Sequence, residues 1–308
     1  MNRTISISVF ALLFAVRAFT QSVPPAQPKT DDLVLVRVTV SGEFYKPLNV
    51  KLNKENFRIF EDKRPQEIQS FSNDDVPLSL GILLDVSGSM GDHHKLEAAR
   101  RGIIEFLRAS NPQDEAFMVA FAEKPEVVFE MTPLKDIREI PRLEAKKRTA
   151  LLDAIYLGLE KIRTAHNSHK VLLIFSDGGD NASQYTEDQV KARLRETDAQ
   201  IYSLCIFGSS TFRPPEEARG PDLLSKITGI TGGATLVVAN FNDLVDAAAK
   251  VGTELRTQYV LGYRSTNTAR DGRWRKIEVK VVPPKGTKAK HVTAREGYYA
   301  PSGPAKRP

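Results

Sequence analysis

Two short runs hold the side chains whose types and spacing could do chemistry. The first is Asp85-Val86-Ser87-Gly88-Ser89-Met90, a carboxylate followed at two-residue steps by two hydroxyls. The second is Phe175-Ser176-Asp177-Gly178-Gly179-Asp180-Asn181. Each begins where a continuous apolar run stops, at 78–84 and at 171–175. If those runs are neighbouring parallel strands, Asp85 and Asp177 face each other at the carboxyl ends of the sheet, where such folds place ligands. Two carboxylates that close repel, and need a cation or a shared proton. Ser87 and Ser89 add neutral oxygens. Oxygen-only ligation suits Mg²⁺ or Ca²⁺ and disfavours zinc, which prefers nitrogen and sulfur. Taken alone, the first run also reads as an Asx/Ser turn with a helix cap.

The elements that must position these runs alternate along the middle of the chain. A strand at 78–84 is followed by helical spacing through Leu96, Ala99, Ile103, Ile104 and Leu107. Residues 116–121 and 127–131 are close enough to form a hairpin. A helix over 151–162 leads to the strand at 171–175, and Thr186-Glu187-Asp188-Gln189 reads as a capping box. Strands at 201–207 and 234–238 flank a helix that Gly232-Gly233 ends, and 243–255 is a last helix. Apolar strands alternating with helices predict an α/β fold, a Rossmann-like doubly wound, mostly parallel sheet. Strand signals of another kind stand at both ends: 33–40, 57–61 and 68–71 before, then 259–263, 274–282 and 291–299 after. Neither end has enough strands to stand alone, so the two are expected to combine into one small β-sandwich with the α/β unit inserted between them.

At this point the sequence resembles the von Willebrand factor type A (VWA) family. Its metal-ion-dependent adhesion site (MIDAS) is similar to Asp85-x-Ser87-x-Ser89, a threonine opening the helix after the third strand, and an aspartate ending the fourth. Thr149 in Arg148-Thr149-Ala150-Leu151 matches the threonine, and Asp177 the aspartate. The resemblance covers about 76–255. It implies a site for Mg²⁺, with Ca²⁺ or Mn²⁺ as substitutes. Ser87, Ser89 and Thr149 would bind directly, and Asp85 and Asp177 partly through waters. The open metal position would take an Asp or Glu of a protein partner, making this an adhesion or binding protein and not an enzyme. One departure is Lys147-Arg148 where the family often has glycine before the threonine; it could stiffen the loop or bring positive charge to the site. The resemblance also suggests that the helix at 243–255 slides when a partner binds.

Composition narrows the alternatives. With 308 residues, 41% hydrophobic and 27% charged, the chain is an ordinary globular mix, which excludes a disordered or fibrous protein. The lone Cys205 excludes an intrachain disulfide and a cysteine-only zinc site. Net charge is +6, but residues 256–308 carry 13 Lys and Arg against 3 Asp and Glu. Asn2-Arg3-Thr4 and the apolar stretch 5–16 read as a signal peptide over 1–20, cut before Gln21. Export without disulfides predicts a secreted protein of the bacterial periplasm or cell surface. The expected layout is signal peptide 1–20, linker 21–32, sandwich 33–75, VWA domain 76–255, sandwich 256–300 and disordered tail 301–308. No later segment is long and apolar enough to span a membrane.

Other residues take blander readings. His93 and His94 are adjacent and so do not share a helix face; they read as an exposed pair. Asp180 and Asn181 are loop-shaping, and Asp153 is a helix-surface or structural hydrogen-bonding residue. Tyr259, Tyr263, Trp274, Tyr298 and Tyr299 read as sandwich core and cross-strand pairs before a recognition surface. Lys276, Lys280, Lys285, Lys288 and Lys290 read as edge-strand protection, and no nucleic-acid partner is expected. A metal-dependent hydrolase using Asp85 is the competing class. A nucleophilic aspartate normally needs a second acid two residues on, and Ser87 stands there. A metal-free scaffold is the third reading.

Overall fold

A computed structural model describes residues 33–43, 48–91, 94–207, 213–287 and 289–303. Its strands are β1 (Val34–Ser41), β2 (Phe57–Glu61), β3 (Arg64–Gln66), β4 (Ile68–Ser72), β5 (Leu78–Asp85), β6 (Glu115–Phe121), β7 (Pro125–Pro133), β8 (His169–Ser176), β9 (Gln200–Ile206), β10 (Thr235–Val238), β11 (Tyr259–Tyr263), β12 (Trp274–Val281), β13 (His291–Ala294) and β14 (Gly297–Tyr299). The helices are α1 (Gly88–Gly91), α2 (Lys95–Arg108), α3 (Leu151–Arg163), α4 (Glu187–Glu196), α5 (Pro215–Ala218), α6 (Gly220–Thr231) and α7 (Leu244–Arg256).

Every residue of β5, β6 and β9 is buried. Strands that are mostly apolar and buried along their whole length cannot show a face to water, so they sit inside a sheet covered on both sides. That sheet has the order β10-β9-β8-β5-β6-β7, parallel except for the β6–β7 hairpin. Helices α2 and α7 pack on one face through Ile103, Phe106, Ala248 and Val251. Helices α3, α4 and α6 cover the other through Ile155, Leu159, Leu194 and Ile227. The capping box at Thr186 forms, with Thr186 Oγ1 accepting from Gln189 N at 3.3 Å. The chain leaves β5 toward β6 and comes back on the other side as β8. The crevice between the carboxyl ends of β5 and β8 is thus a topological switch point.

The two chain ends form antiparallel sheets of order β13-β1-β11-β4 and β14-β12-β2-β3. They share one core that includes Val36, Val38, Phe57, Ile59, Leu261 and Tyr263. Both sheets mix strands from before and after the α/β insertion, which is the discontinuous sandwich expected above. Tyr259 and Tyr263 are buried, and Trp274 meets Tyr299 edge-on at 5.0 Å across β12 and β14. Tyr263 and Tyr298 hydroxyls donate to the buried Glu61 carboxylate at 2.8 and 2.9 Å.

Two sandwich expectations need correction. The 291–299 signal is two strands in different sheets: β13 pairs with β1, and β14 with β12. The chain crosses over at Arg295-Glu296, where Glu296 N donates to Ile230 O at 3.2 Å and Glu296 O accepts from Ile277 N at 2.8 Å. Those long-range bonds break what reads locally as one strand. Lys276 is not edge protection, since β12 pairs with β14 there and meets Asp62 on its other side; Lys280 lies on the stretch Ile277–Val281, which among the described residues pairs with β2 alone, and its Nζ sits 5.0 Å from the Phe60 ring centroid.

Polar side chains join the sandwich to the α/β layers. Tyr202 Oη on β9 donates to Glu254 Oε1 on α7 at 3.0 Å. Gln258 Nε2 donates to both Tyr202 Oη and Thr39 Oγ1 of β1, at 3.0 and 3.1 Å. Arg256, at the end of α7, forms an ion pair with Asp114, which is fully buried before β6. The signal-peptide, linker and His93 readings, Lys288 and residues 304–308 lie outside the described residues. Of the expected tail, Pro301 O accepts from Gly272 N at 3.4 Å. No helix among the described residues is long and apolar enough to cross a membrane.

Candidate metal centre

The switch-point crevice is built from three loops tied by backbone bonds. The first, 85–90, turns tightly because Asp85 Oδ1 accepts from Ser87 N at 2.8 Å. The second, 145–150, is pinned to it by Lys146 N donating to Val86 O at 2.7 Å. Gly88 is where the two touch: a Cβ there would meet Lys146 O at 3.2 Å. The third, 177–183, clamps Thr149 from the other side. Asn181 and Ala182 N–H groups donate to Thr149 O at 2.9 and 3.0 Å, and Asn181 Oδ1 accepts from Thr149 N at 3.0 Å. Asp85, Ser87, Ser89, Thr149 and Asp177, far apart in sequence, thus come from loops held against each other at one end of the sheet.

Within this crevice Ser87 Oγ and Ser89 Oγ are 3.1 Å apart. Asp85, Ser87, Thr149 and Asp177 are buried. Ser176 Oγ donates to Asp85 Oδ2 at 2.6 Å and itself accepts from Gly178 N at 2.9 Å. Asp177 Oδ1 accepts from Gly179 N at 3.3 Å, while Asp177 Oδ2 is buried without a hydrogen-bond partner. Burial first, and the Asp177 charge second, push the Asp85 carboxyl up to about 7, against the hydrogen bonds from Ser176 and Ser87. An orphaned buried carboxylate oxygen beside a second carboxylate is costly unless a cation or a shared proton meets it.

The donor set answers which cation fits. Among the described residues no group of three His, Cys, Asp and Glu side chains is placed to hold a metal ion. A metal here therefore depends on hydroxyl oxygens as well as carboxylates, the oxygen chemistry of Mg²⁺, Ca²⁺ and Mn²⁺. The residues present fit such an ion.

Several supporting residues do structural work. Asp180 Oδ1 accepts from Leu152 N and Ser183 Oγ, at 3.2 and 2.6 Å, and Asp153 Oδ1 accepts from Gln184 N and Tyr185 N, at 2.8 and 2.9 Å. Arg148 Nη2 donates to Asn181 O at 2.6 Å, so the residue that departs from the family pattern braces the loop. His94 is exposed. Two contributors were missed in the sequence. Ser176 links Asp85 to the 177–178 loop, and its only local signal was its place before Asp177. Glu217 on α5 packs on Gly179, whose Cβ would lie 3.3 Å from Glu217 Cγ; burial and then the Asp177 charge push its carboxyl up. No short-range pattern marks Glu217.

A family model for the von Willebrand factor type A domain matches residues 80–179, from within β5 to the loop after β8. The chain contains a VWA domain. The match spans two of the three loops of the switch-point crevice in full, together with the start of the 177–183 loop. No curated protein matches the chain. Among solved structures the chain is similar to BatB from Bacteroides thetaiotaomicron, at 19% identity over 58% of this chain and 98% of that one, with a TM-score of 0.44. It is similar to a von Willebrand factor type A protein from Catenulispora acidiphila, at 11% identity, 87% and 74% coverage and a TM-score of 0.49. It is also similar to proximal thread matrix protein 1 of the mussel byssus with a zinc-occupied MIDAS motif, at 15% identity, 63% and 49% coverage and a TM-score of 0.49. The VWA assignment rests on the family match and on the strand order, in which β5 lies between β6 and β8.

Proposed function

We propose that this VWA domain is a binding module whose crevice holds Mg²⁺ and engages an acidic side chain of a protein partner. The observation that carries the reading is Asp177 Oδ2, a buried carboxylate oxygen with no protein partner, beside the buried Asp85. Ser87, Ser89 and Thr149 would hold the ion directly, and Asp85 and Asp177 would balance its charge partly through waters. A bound Mg²⁺ supplies a Lewis-acidic position open to one further anionic oxygen. The chain's own work is positioning. Ser176 orients Asp85, Asn181 fixes the Thr149 backbone, and the tight 85–90 turn brings Ser87 Oγ beside Ser89 Oγ.

A binding role is favoured over hydrolysis by the residue two positions after Asp85. Ser87 stands where an aspartyl nucleophile would need a general acid, and its N–H is already committed to Asp85 Oδ1. The apolar stretch at 5–16 supports export to a periplasmic or cell-surface setting, which N-terminal sequencing of the mature protein tests.

The test of function has two arms. Calorimetric titration with Mg²⁺ is expected to show saturable binding that Ser87→Ala and Thr149→Ala abolish. A partner captured by the protein in Mg²⁺ is expected to be released by EDTA and to be lost on Asp→Asn or Glu→Gln substitution in its contact segment. Equal capture in Mg²⁺ and EDTA overturns the reading.

A further inference from the structure

The opposite end of the central sheet carries a second feature, unconnected to the metal reading. There, between the amino ends of β8 and β9 and the sandwich, lies a cavity of about 380 Å³. That volume is in the range of small-molecule sites. Strand β8 runs from His169 near this cavity to Ser176 at the metal centre, eight residues and so about 23 Å away.

Its lining is cationic. Arg37, Lys170, Arg195 and Arg295 line it, against Asp198 as the acid. The alternation of β1 explains how Arg37 comes to be there. Val36 and Val38 point into the sandwich core, so Leu35 and Arg37 point the other way, toward the α/β layers. Arg37 is half-buried, yet among the described residues it makes no hydrogen bond and no ion pair. Arg295 is braced only by carbonyls: its Nε donates to Gly297 O at 2.7 Å and an Nη to Thr197 O at 3.4 Å. Burial holds both guanidiniums below their ordinary value, and Asp198 only partly offsets this. Asp198 is itself exposed and forms no ion pair with either. The other cations are anchored at the rim, Lys170 Nζ donating to Arg163 O at 3.0 Å and Arg195 lying 5.9 Å from the Trp274 ring centroid. Leu194 and Ile230 give the same cavity an apolar wall.

Half-buried guanidiniums without carboxylate partners cost stability, because desolvation is not repaid by pairing. A planar fork of N–H donors with unspent capacity matches phosphate or carboxylate oxygens. From this geometry we infer that the cavity is a binding site for a small organic anion, its phosphate or carboxylate head between Arg37 and Arg295 and its apolar body against Leu194 and Ile230.

The experiment uses the whole chain with phenyl phosphate, benzoate and neutral benzyl alcohol as probes, at constant ionic strength. At least one anion is expected to bind in calorimetry and to raise the melting temperature, with benzyl alcohol silent; which anion binds better identifies the head group. Arg37→Gln breaks no contact in the structure. It is expected to weaken anion binding roughly tenfold or more, the worth of a charge-assisted hydrogen bond, and to raise the melting temperature of the free protein. Asp198→Asn, which alters only an exposed acid, is expected to strengthen binding. No anion binding at millimolar probe, equal binding of benzyl alcohol, or affinity unchanged in Arg37→Gln overturns the inference.

Discussion

Glu254 offers a prediction whose size follows from its surroundings. It is buried on α7, against Tyr202 of β9 and close to Thr39 of β1, so it sits where the α/β layers meet the sandwich. Burial is the largest influence on it and pushes its carboxyl from the ordinary 4.5 to about 7, with hydrogen bonds from Tyr202 and Thr39 opposing. A raised carboxyl means that the folded protein holds a proton that the unfolded chain has released. The contribution to stability is therefore complete below pH 4.5 and is lost as the pH climbs through about 7. Over that interval, at ~1.4 kcal/mol per pH unit, the loss amounts to about 3 kcal/mol. Glu254→Gln keeps an acceptor for the Tyr202 hydroxyl and cannot ionise. Urea denaturation of both proteins at pH 5 and pH 8 reads the effect. The variant is expected to match the wild type at pH 5 and to exceed it at pH 8 by about 2–3 kcal/mol, most of the ionisation cost. An equal difference between the two proteins at both pH values, or a variant less stable at pH 8, refutes the reasoning.

Three further outcomes are expected. Arg256→Ala removes the cation from the fully buried Asp114 carboxylate, leaving it only the bonds from Leu78 N and Asn111 N, and is expected to cost about 3 kcal/mol in chemical denaturation, with much of that recovered when Asp114→Asn is added. Gly178→Ala is expected to destabilise by at least ~1 kcal/mol and to weaken Mg²⁺ binding, since φ is +84° and the new Cβ would lie 2.6 Å from Gly220 Cα. Ser176→Ala removes the 2.6 Å bond that orients Asp85 and is expected to lower Mg²⁺ affinity about 10–100-fold by calorimetry while leaving the circular dichroism spectrum unchanged.

The central sheet was legible because strands such as Leu78–Asp85 and Gln200–Ile206 are apolar on both faces, a pattern that water permits only inside a covered parallel sheet. The sandwich was legible from strand signals that neither end could satisfy alone. What short-range pattern does not carry is where the chain is interrupted from a distance. The crossing at Arg295-Glu296 is set by Ile230 and Ile277, and by Gly232, whose missing Cβ would lie 2.4 Å from Arg295 N. Asp85 and Ser87 announced themselves by spacing and by their place at a strand end. Thr149 came from family resemblance, and the bonds that tie it to Asn181 came from the structure. Ser176 and Glu217 act through tertiary approach, which neither spacing nor residue type encodes. The unpaired Arg37 is of the same kind: in sequence it is one arginine in an alternating strand, and only the α/β layers facing it reveal a half-buried charge.

In the proposed site the five oxygen-bearing side chains converge on one ion. A crystal grown in Mn²⁺ and measured at the manganese edge is expected to show a single anomalous peak bounded by Ser87, Ser89 and Thr149, with Asp85 and Asp177 behind them. A map with no peak in the crevice, or with manganese bound elsewhere on the chain while Asp177 Oδ2 stays bare, would contradict it.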